Sequence, residues 1–192
     1  MAENLDTLLS DVRACRLCEG LPLGPNPILQ ACATSRILIA GQAPGRITHG
    51  KGIPFDDPSG NRLRAWLGVT REQFYSPELF AIIPMGFCFP GTAKGGDLPP
   101  RPLCAQTWRA RLLAGLPDIQ LTLVIGQFAQ GWHMSSLAHL SLTERVCAAT
   151  VHAPAIPLPH PSPRNGMWLN QNPWFEKNIL PNLKRRVQLI LS

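Results

Sequence analysis

The sequence predicts an α/β fold: a three-layer α/β/α sandwich around a central, mainly parallel four-stranded sheet. Short apolar runs of strand length alternate along the chain with segments of helical periodicity, a pattern typical of parallel sheets covered on both faces. Turns rich in Gly and Pro follow several of these runs, where open α/β sheets bind ligands. The chain contains no internal repeat and no domain boundary, so we expect a single domain over residues 1–192.

The predicted elements follow in chain order. Leu5, Leu8, Leu9 and Val12 share one face of a helix over 3–14, and the apolar run 36–40 is the first strand. Ser59 is the predicted cap of a helix over 60–67, and residues 80–83 form the second strand. A helix over 104–114, a strand over 121–125 and a helix over 126–133 come next. The last elements are a short helix over 141–148, a strand within 150–158 and a helix over 174–190. Residues 19–35, 46–58 and 84–103 are predicted to be loops.

Composition limits the classes of function. The net charge is +6 and the pI is about 9.3, so a polyanion such as nucleic acid is a candidate partner. No apolar run reaches the length of a membrane helix, and the N-terminus lacks the core of a signal peptide. We therefore expect a cytoplasmic monomer that does not bind membranes. In that compartment, the six cysteines are metal ligands or buried thiols rather than disulfides.

The first motif is the turn Gly-Gln-Ala-Pro-Gly at 41–45, directly after the first predicted strand. Glycines at both ends allow the backbone to approach a ligand closely, and Pro44 stiffens the turn. Such a turn presents backbone N–H groups at the carboxyl edge of the sheet. Taken alone, it is more typical of an ordinary strand-to-loop connection than of a ligand site.

The second motif is the loop His-Pro-Ser-Pro-Arg-Asn at 160–165. Its prolines fix the path of the chain, so that His160 can donate a hydrogen bond to a developing anion. Ser162 can bond a phosphate, and Arg164 projects from the stiff loop. A third candidate is Phe55, which is either a local core residue or a stacking platform for a planar ring.

These motifs resemble the two signature motifs of the uracil-DNA glycosylase superfamily. Residues 52–55 (Gly-Ile-Pro-Phe) and 124–127 (Val-Ile-Gly-Gln) also resemble segments of that superfamily, and the similarity extends from about Ile37 to Leu189. The turn is similar to that of the iron–sulfur branch, family four. By contrast, the loop at 160–165 looks closer to the single-strand-selective branch.

The resemblance implies a DNA glycosylase that excises uracil or another damaged base in base excision repair. It places Gln42 and His160 in catalysis, and it places the Gln42–Ala43 backbone, Phe55 and His160 around the base. Ser162 and Arg164 would contact DNA. The alternatives are a catalytically weak or inactive nucleic-acid-binding protein on the same fold and, less supported, a phosphate-handling enzyme without a P-loop lysine.

Two departures from the family pattern affect chemistry and specificity. The iron–sulfur branch usually carries Glu at the position of Gln42, so Asp56 or Asp57 is a candidate substitute for activating water. The superfamily commonly reads uracil with an Asn near the end of the second strand, but no Asn occurs between Asn61 and Asn165. Pro84 occupies that region, which predicts low or altered selectivity, with hypoxanthine, xanthine or a modified pyrimidine as substrates.

The cysteines also match the iron–sulfur branch. Two residues separate Cys15 from Cys18, fifteen separate Cys88 from Cys104, and the last two lie in segments that resemble ligand segments of that branch. Four thiolates can hold a [4Fe–4S] cluster, and a Cys₄ zinc site is the alternative. Cys32 and Cys147 have no partner pattern and are predicted to be free and buried.

Overall fold

The computed structural model describes residues 3–148 and 153–192, which form three layers. The central sheet contains β1 (Ile37–Ala40), β2 (Phe80–Ile82), β5 (Leu121–Ile125) and β6 (Ala155–Leu158). Its order is β2-β1-β5-β6, and all neighbouring strands are parallel. The predicted fold class is confirmed. The part of the predicted fourth strand at 150–152 lies outside the described residues.

Helices cover both faces of this sheet. They are α1 (Leu5–Arg13), α2 (Arg46–Lys51), α3 (Pro58–Leu67), α4 (Arg71–Tyr75), α5 (Pro102–Ala114), α6 (Gln127–His133), α7 (Leu142–Ala148), α8 (Gly166–Gln171) and α9 (Leu180–Leu191). A π-helical turn, Phe175–Ile179, precedes α9. Short 3₁₀ turns lie at Ser135–Leu137 and Pro163–Asn165. No helix among the described residues is long and apolar enough to cross a membrane.

Alternating strand side chains divide the core between the two faces. On one face, Ile37 and Ile39 pack with Leu63 of α3 and Leu183 of α9. On the other, Leu38 packs with α1 and α5, where the apolar face of Leu5, Leu8, Leu9 and Val12 is buried as predicted. This packing fixes the carboxyl ends of β1, β5 and β6 beside one another.

Several local predictions need correction. The helix predicted over 60–67 begins at Pro58, and its cap is Asp57 rather than Ser59, because the Asp57 side chain accepts a hydrogen bond from the Gly60 N–H. Part of the loop predicted over 46–58 is α2. The irregular segment 84–103 contains an antiparallel hairpin of β3 (Thr92–Ala93) and β4 (Gly96–Asp97). These elements are too short to produce a periodic signal.

Candidate active site

A cavity of about 470 Å³ opens at the carboxyl edge of the sheet. The turn after β1, the loop after β6 and the hairpin all contribute to its wall. It brings together every residue predicted to act on the base or contact DNA: Gln42, Ala43, Phe55, His160, Ser162 and Arg164. Residues more than a hundred positions apart in sequence meet here because parallel strands end at the same edge.

Two backbone hydrogen bonds from the segment after β2 hold the turn after β1. The Gly41 carbonyl accepts a hydrogen bond from the Met85 N–H, and the Gln42 carbonyl accepts one from the Gly86 N–H, both at 2.9 Å. On the side of β5, a Cβ placed at Gly126 would lie 3.8 Å from Gln42 Oε1. The backbone of Gln42 is therefore held from the side of β2, and its side-chain oxygen lies near Gly126.

His160 is held in one neutral tautomer by its own loop. The Ser162 backbone N–H donates to His160 Nδ1 at 3.2 Å, so Nδ1 is an acceptor and the ring proton lies on Nε2. Burial lowers the pKa of His160, although the charges of Asp57 and Asp97 oppose this change. The ring therefore lines the cavity as a neutral N–H donor.

The loop that carries His160 is braced at several points. The Asn165 side chain donates to the His160 carbonyl at 2.9 Å, and Arg62 of α3 donates to the Ser162 carbonyl at 3.0 Å. The Ser162 hydroxyl accepts from the Arg164 N–H at 3.2 Å and caps the 3₁₀ turn. These bonds leave the Arg164 side chain exposed at the rim, beside Gly96 of the hairpin.

Phe55 is the only non-glycine residue with positive φ (54°) among those the structure describes. This conformation costs about 1–2 kcal/mol, so the surrounding contacts must enforce it. Its ring meets Phe74 edge-on, with centroids 6.3 Å apart, and one edge lies against Gly41. Gly60 makes this possible, because a Cβ there would lie 1.7 Å from the Phe55 carbonyl oxygen. Phe55 is therefore part of the cavity wall and not only a core residue.

Three carboxylates near the site have different environments. Asp56 forms ion pairs with Lys51 and Arg71, which lower its pKa, and it does not line the cavity. Asp57 lines the cavity and also caps α3 through Oδ1. Asp97 lines the cavity from the hairpin, a position that sequence analysis missed. Asp56 and Asp57 are the two candidates to replace the Glu of the iron–sulfur branch in activating water, and only Asp57 lines the cavity.

Pro84 is buried and lines the cavity, in the region where the superfamily places its reading Asn. Three hydroxyl side chains that sequence analysis did not select also line it: Thr48, Ser59 and Thr92. A hydroxyl can donate or accept, so these groups can bond more than one base edge.

A second, much smaller cavity of about 20 Å³ is lined by all four predicted ligands, Cys15, Cys18, Cys88 and Cys104. Burial raises the pKa of Cys104 to about 12, and the nearby cysteines add to the increase. Within residues 3–148 and 153–192, no group of three or more His, Cys, Asp or Glu side chains is arranged to hold a metal ion.

The remaining histidines and cysteines lie elsewhere. His49 is half-buried against Phe89 and does not line the cavity. His133 accepts a hydrogen bond from the buried Arg109. Cys32 is half-buried, and Cys147 is exposed, so the prediction that Cys147 is buried is wrong.

The family comparison agrees with this geometry. A model of the uracil DNA glycosylase superfamily matches residues 29–184, which include the turn after β1, Phe55, Pro84 and the loop with His160. The match covers most of the chain and all strands of the central sheet. The chain therefore belongs to the uracil DNA glycosylase superfamily.

Proposed function

We propose that the protein is a DNA glycosylase that hydrolyses the N-glycosidic bond of uracil or another damaged base, and so initiates base excision repair. The neutral, oriented His160 is the observation that carries this proposal. Its Nε2–H is a donor in the same cavity as the turn after β1. Superfamily membership supports DNA as the partner.

In the proposed mechanism, the base leaves the helix and enters the cavity, where it stacks on Phe55. Negative charge develops on the base as the glycosidic bond breaks. His160 Nε2–H and the backbone N–H groups of Gln42 and Ala43 stabilise that charge, an effect worth about 3–4 kcal/mol per donor in comparable sites. The donors are fixed before the substrate arrives, because the loop bonds hold them in place.

Water then attacks the cationic sugar carbon, and its proton must leave. Gln42 orients this water through Oε1, since an amide cannot act as a strong base. Asp57 uses Oδ1 as a cap, which leaves Oδ2 to stabilise the sugar cation or accept the proton. Asp97 adds negative charge on the same wall.

We propose that the pocket reads its base loosely. Pro84 has no side-chain donor and no N–H, while the hydroxyls of Thr48, Ser59 and Thr92 can bond different base edges. A site without a fixed amide rejects wrong bases less strongly. The expected substrates include hypoxanthine, xanthine or a modified pyrimidine beside uracil.

Oligonucleotides that each carry one of these bases, in single and double strands, test the proposal. Abasic sites should appear with at least one lesion and not with the undamaged sequence. Binding without base release would favour the alternative, a nucleic-acid-binding protein that has lost catalysis. Strong excision of uracil alone would contradict the loose reading. Pro84→Asn provides a separate test. A gain in uracil release over the wild type would support the proposal that the residue at this position sets selectivity for the base.

We further propose that Cys15, Cys18, Cys88 and Cys104 hold a [4Fe–4S] cluster, with zinc as the alternative. The donor set fits, since four thiols and no carboxylate line one cavity. A bound cluster would supply structural cross-links and redox sensitivity. Anaerobically purified protein should absorb broadly near 400 nm and contain about four irons per chain. A colourless protein that contains one zinc per chain would favour the zinc site over the cluster.

A further inference from the structure

The hairpin of β3 and β4 extends across the mouth of the larger cavity. It follows β2 at one edge of the sheet, yet it meets the loop that follows β6 at the other edge. A Cβ placed at Gly96 would lie 3.1 Å from Arg164 Nη1, and the φ of 140° at Gly96 also favours glycine. The Leu98 N–H donates to the Gly91 carbonyl at 2.8 Å and closes the base of the hairpin. The hairpin is therefore a defined part of the cavity wall.

Asp97 is the carboxylate that this hairpin brings to the cavity. The Thr92 hydroxyl donates to Asp97 Oδ1 at 3.5 Å, and Oδ2 lies 3.4 Å from the position of a Cβ at Gly45, the last residue of the turn after β1. The ion pairs among the described residues do not include Asp97. A carboxylate without a cation repels the phosphates of DNA, so its position favours a ligand group that donates hydrogen bonds.

A carboxylate beside this turn is suited to detect the deamination of a base. In the proposed mechanism, the N–H groups of Gln42 and Ala43 stabilise negative charge on the base, and Gly45 follows in the same turn. In a pyrimidine that charge collects on O2, and the next ring atom away from the sugar is N3. Uracil carries a hydrogen on N3, whereas cytosine has only a lone pair there, and hypoxanthine and adenine differ in the same way at N1. An ionised carboxylate only accepts hydrogen bonds, so it can distinguish each deaminated base from its parent.

We propose that Asp97 is a specificity-determining residue that accepts a hydrogen bond from the ring N–H that deamination creates. The cavity then takes deaminated bases and rejects the parent cytosine and adenine, because a ring lone pair that faces Oδ2 leaves two acceptors unpaired and in repulsion. Pro84 offers no side-chain group for this task, so the hairpin reads the base in place of the end of β2. The effect on base release rests on the proposed glycosylase function, whereas the contact with the base is measured by binding.

Short single-stranded oligonucleotides with one 2′-fluorinated deoxyuridine or deoxycytidine test the contact, because the fluorine slows cleavage of the glycosidic bond. The wild type should bind the uracil strand at least about tenfold more tightly than the cytosine strand, as expected for a hydrogen bond to a charged group. Asp97→Ala should bring the ratio of the two Kd values close to one. Asp97→Asn should do so mainly through tighter binding of cytosine, since its amide can donate to N3.

The ratio of Kd values is the necessary measurement, because either change at Asp97 also removes a negative charge and so tightens the binding of any DNA. Asp118→Asn is the matched control. Asp118 is exposed and precedes β5, at the opposite edge of the sheet from the cavity, so this variant loses the same charge and should keep the wild-type ratio. Equal binding of the two strands by the wild type, or a wild-type ratio in both Asp97 variants, would overturn the proposal.

The binding measurement also separates this proposal from the proposed function. If the wild type releases no base from any unmodified substrate, the glycosylase assignment fails, and the ratio of Kd values still decides whether Asp97 reads the base. If the wild type releases uracil and the Asp97 variants keep its ratio, the reading by Asp97 fails while the glycosylase assignment stands. The same comparison with hypoxanthine and adenine strands should give a preference of the same sign, lost in the same variants.

Discussion

The two cavities differ in what orders their residues. Around the larger cavity, the groups that would meet the base are bonded to backbone: His160 by Ser162, and the turn after β1 by Met85 and Gly86. Around the smaller cavity, four cysteines are brought together, and burial raises the pKa of three of them: Cys18, Cys88 and Cys104. The first site is preorganised by its own hydrogen bonds, whereas thiolates in the second depend on a positive partner.

The two cavities therefore differ in what the fold alone determines. A donor in the larger cavity can be assigned its proton and its orientation from the fold alone. The proposed ligand set in the smaller cavity rests on the identity and proximity of four thiols.

The largest effect is expected from His160→Ala. Removing a preorganised donor to a developing anion costs roughly 100- to 1,000-fold in rate. Single-turnover base release under matched pH and salt measures this loss. The exposed His139→Ala should release base at the wild-type rate. If the rate of His160→Ala stays within a few-fold of the wild-type rate, another group must stabilise the base anion.

Asp57→Asn should lower base release by roughly a hundredfold if the carboxylate assists water or the sugar cation. Asparagine is also a good helix cap, so the start of α3 should survive, and thermal unfolding checks this. Asp56→Asn is the control: it removes the same charge one residue away, outside the cavity. Equal losses in both variants would point to loop structure instead of chemistry.

Arg164→Ala should weaken activity on duplex DNA about tenfold and leave single strands nearly unaffected. The exposed guanidinium can stack in the space that a flipped base leaves, and such stacking is worth about 1–3 kcal/mol. Paired assays on single-stranded and duplex substrates measure the ratio. Equal losses on both substrates would indicate that Arg164 only contacts a phosphate and does not fill the space left by the base.

The smallest effect concerns stability in acid. Burial, with help from Arg109, lowers the pKa of His133 to about 4, so the unfolded chain binds a proton before the folded one. The contribution of His133 is complete above about pH 6.5 and is lost as the pH falls towards 4, by at most about 3 kcal/mol. The lowered pKa of His160 acts in the same direction.

Denaturant unfolding between pH 7 and pH 4 measures that loss. His133→Gln keeps an acceptor for Arg109 but does not titrate, so its stability should depend less on pH. The exposed His139→Gln should follow the wild type. An unchanged pH dependence in His133→Gln would show that this histidine does not carry the effect.

The sheet and most of the site residues were predictable, because strand-end motifs of a parallel sheet converge at one edge. Gln42 and His160 meet for that reason, and Phe55 joins them because its ring lies against Gly41. Asp97 was not predictable, since its hairpin has two-residue strands in a segment rich in Gly and Pro. Arg109 was missed for another reason: an arginine on a helix is ordinarily solvated, and only tertiary packing buries it.

The position of β6 at the sheet edge has a consequence for how the protein loses activity on heating. Edge strands are held on one side only, so β6 should detach from β5 at a lower free energy than the centre of the sheet opens. His160 follows β6 by two residues, and base release should therefore fail before the core melts. Pro157 and Pro159 cannot donate backbone hydrogen bonds, which makes the free edge a poor template for another chain. Heat-inactivated molecules should accordingly remain dispersed and recover activity on cooling.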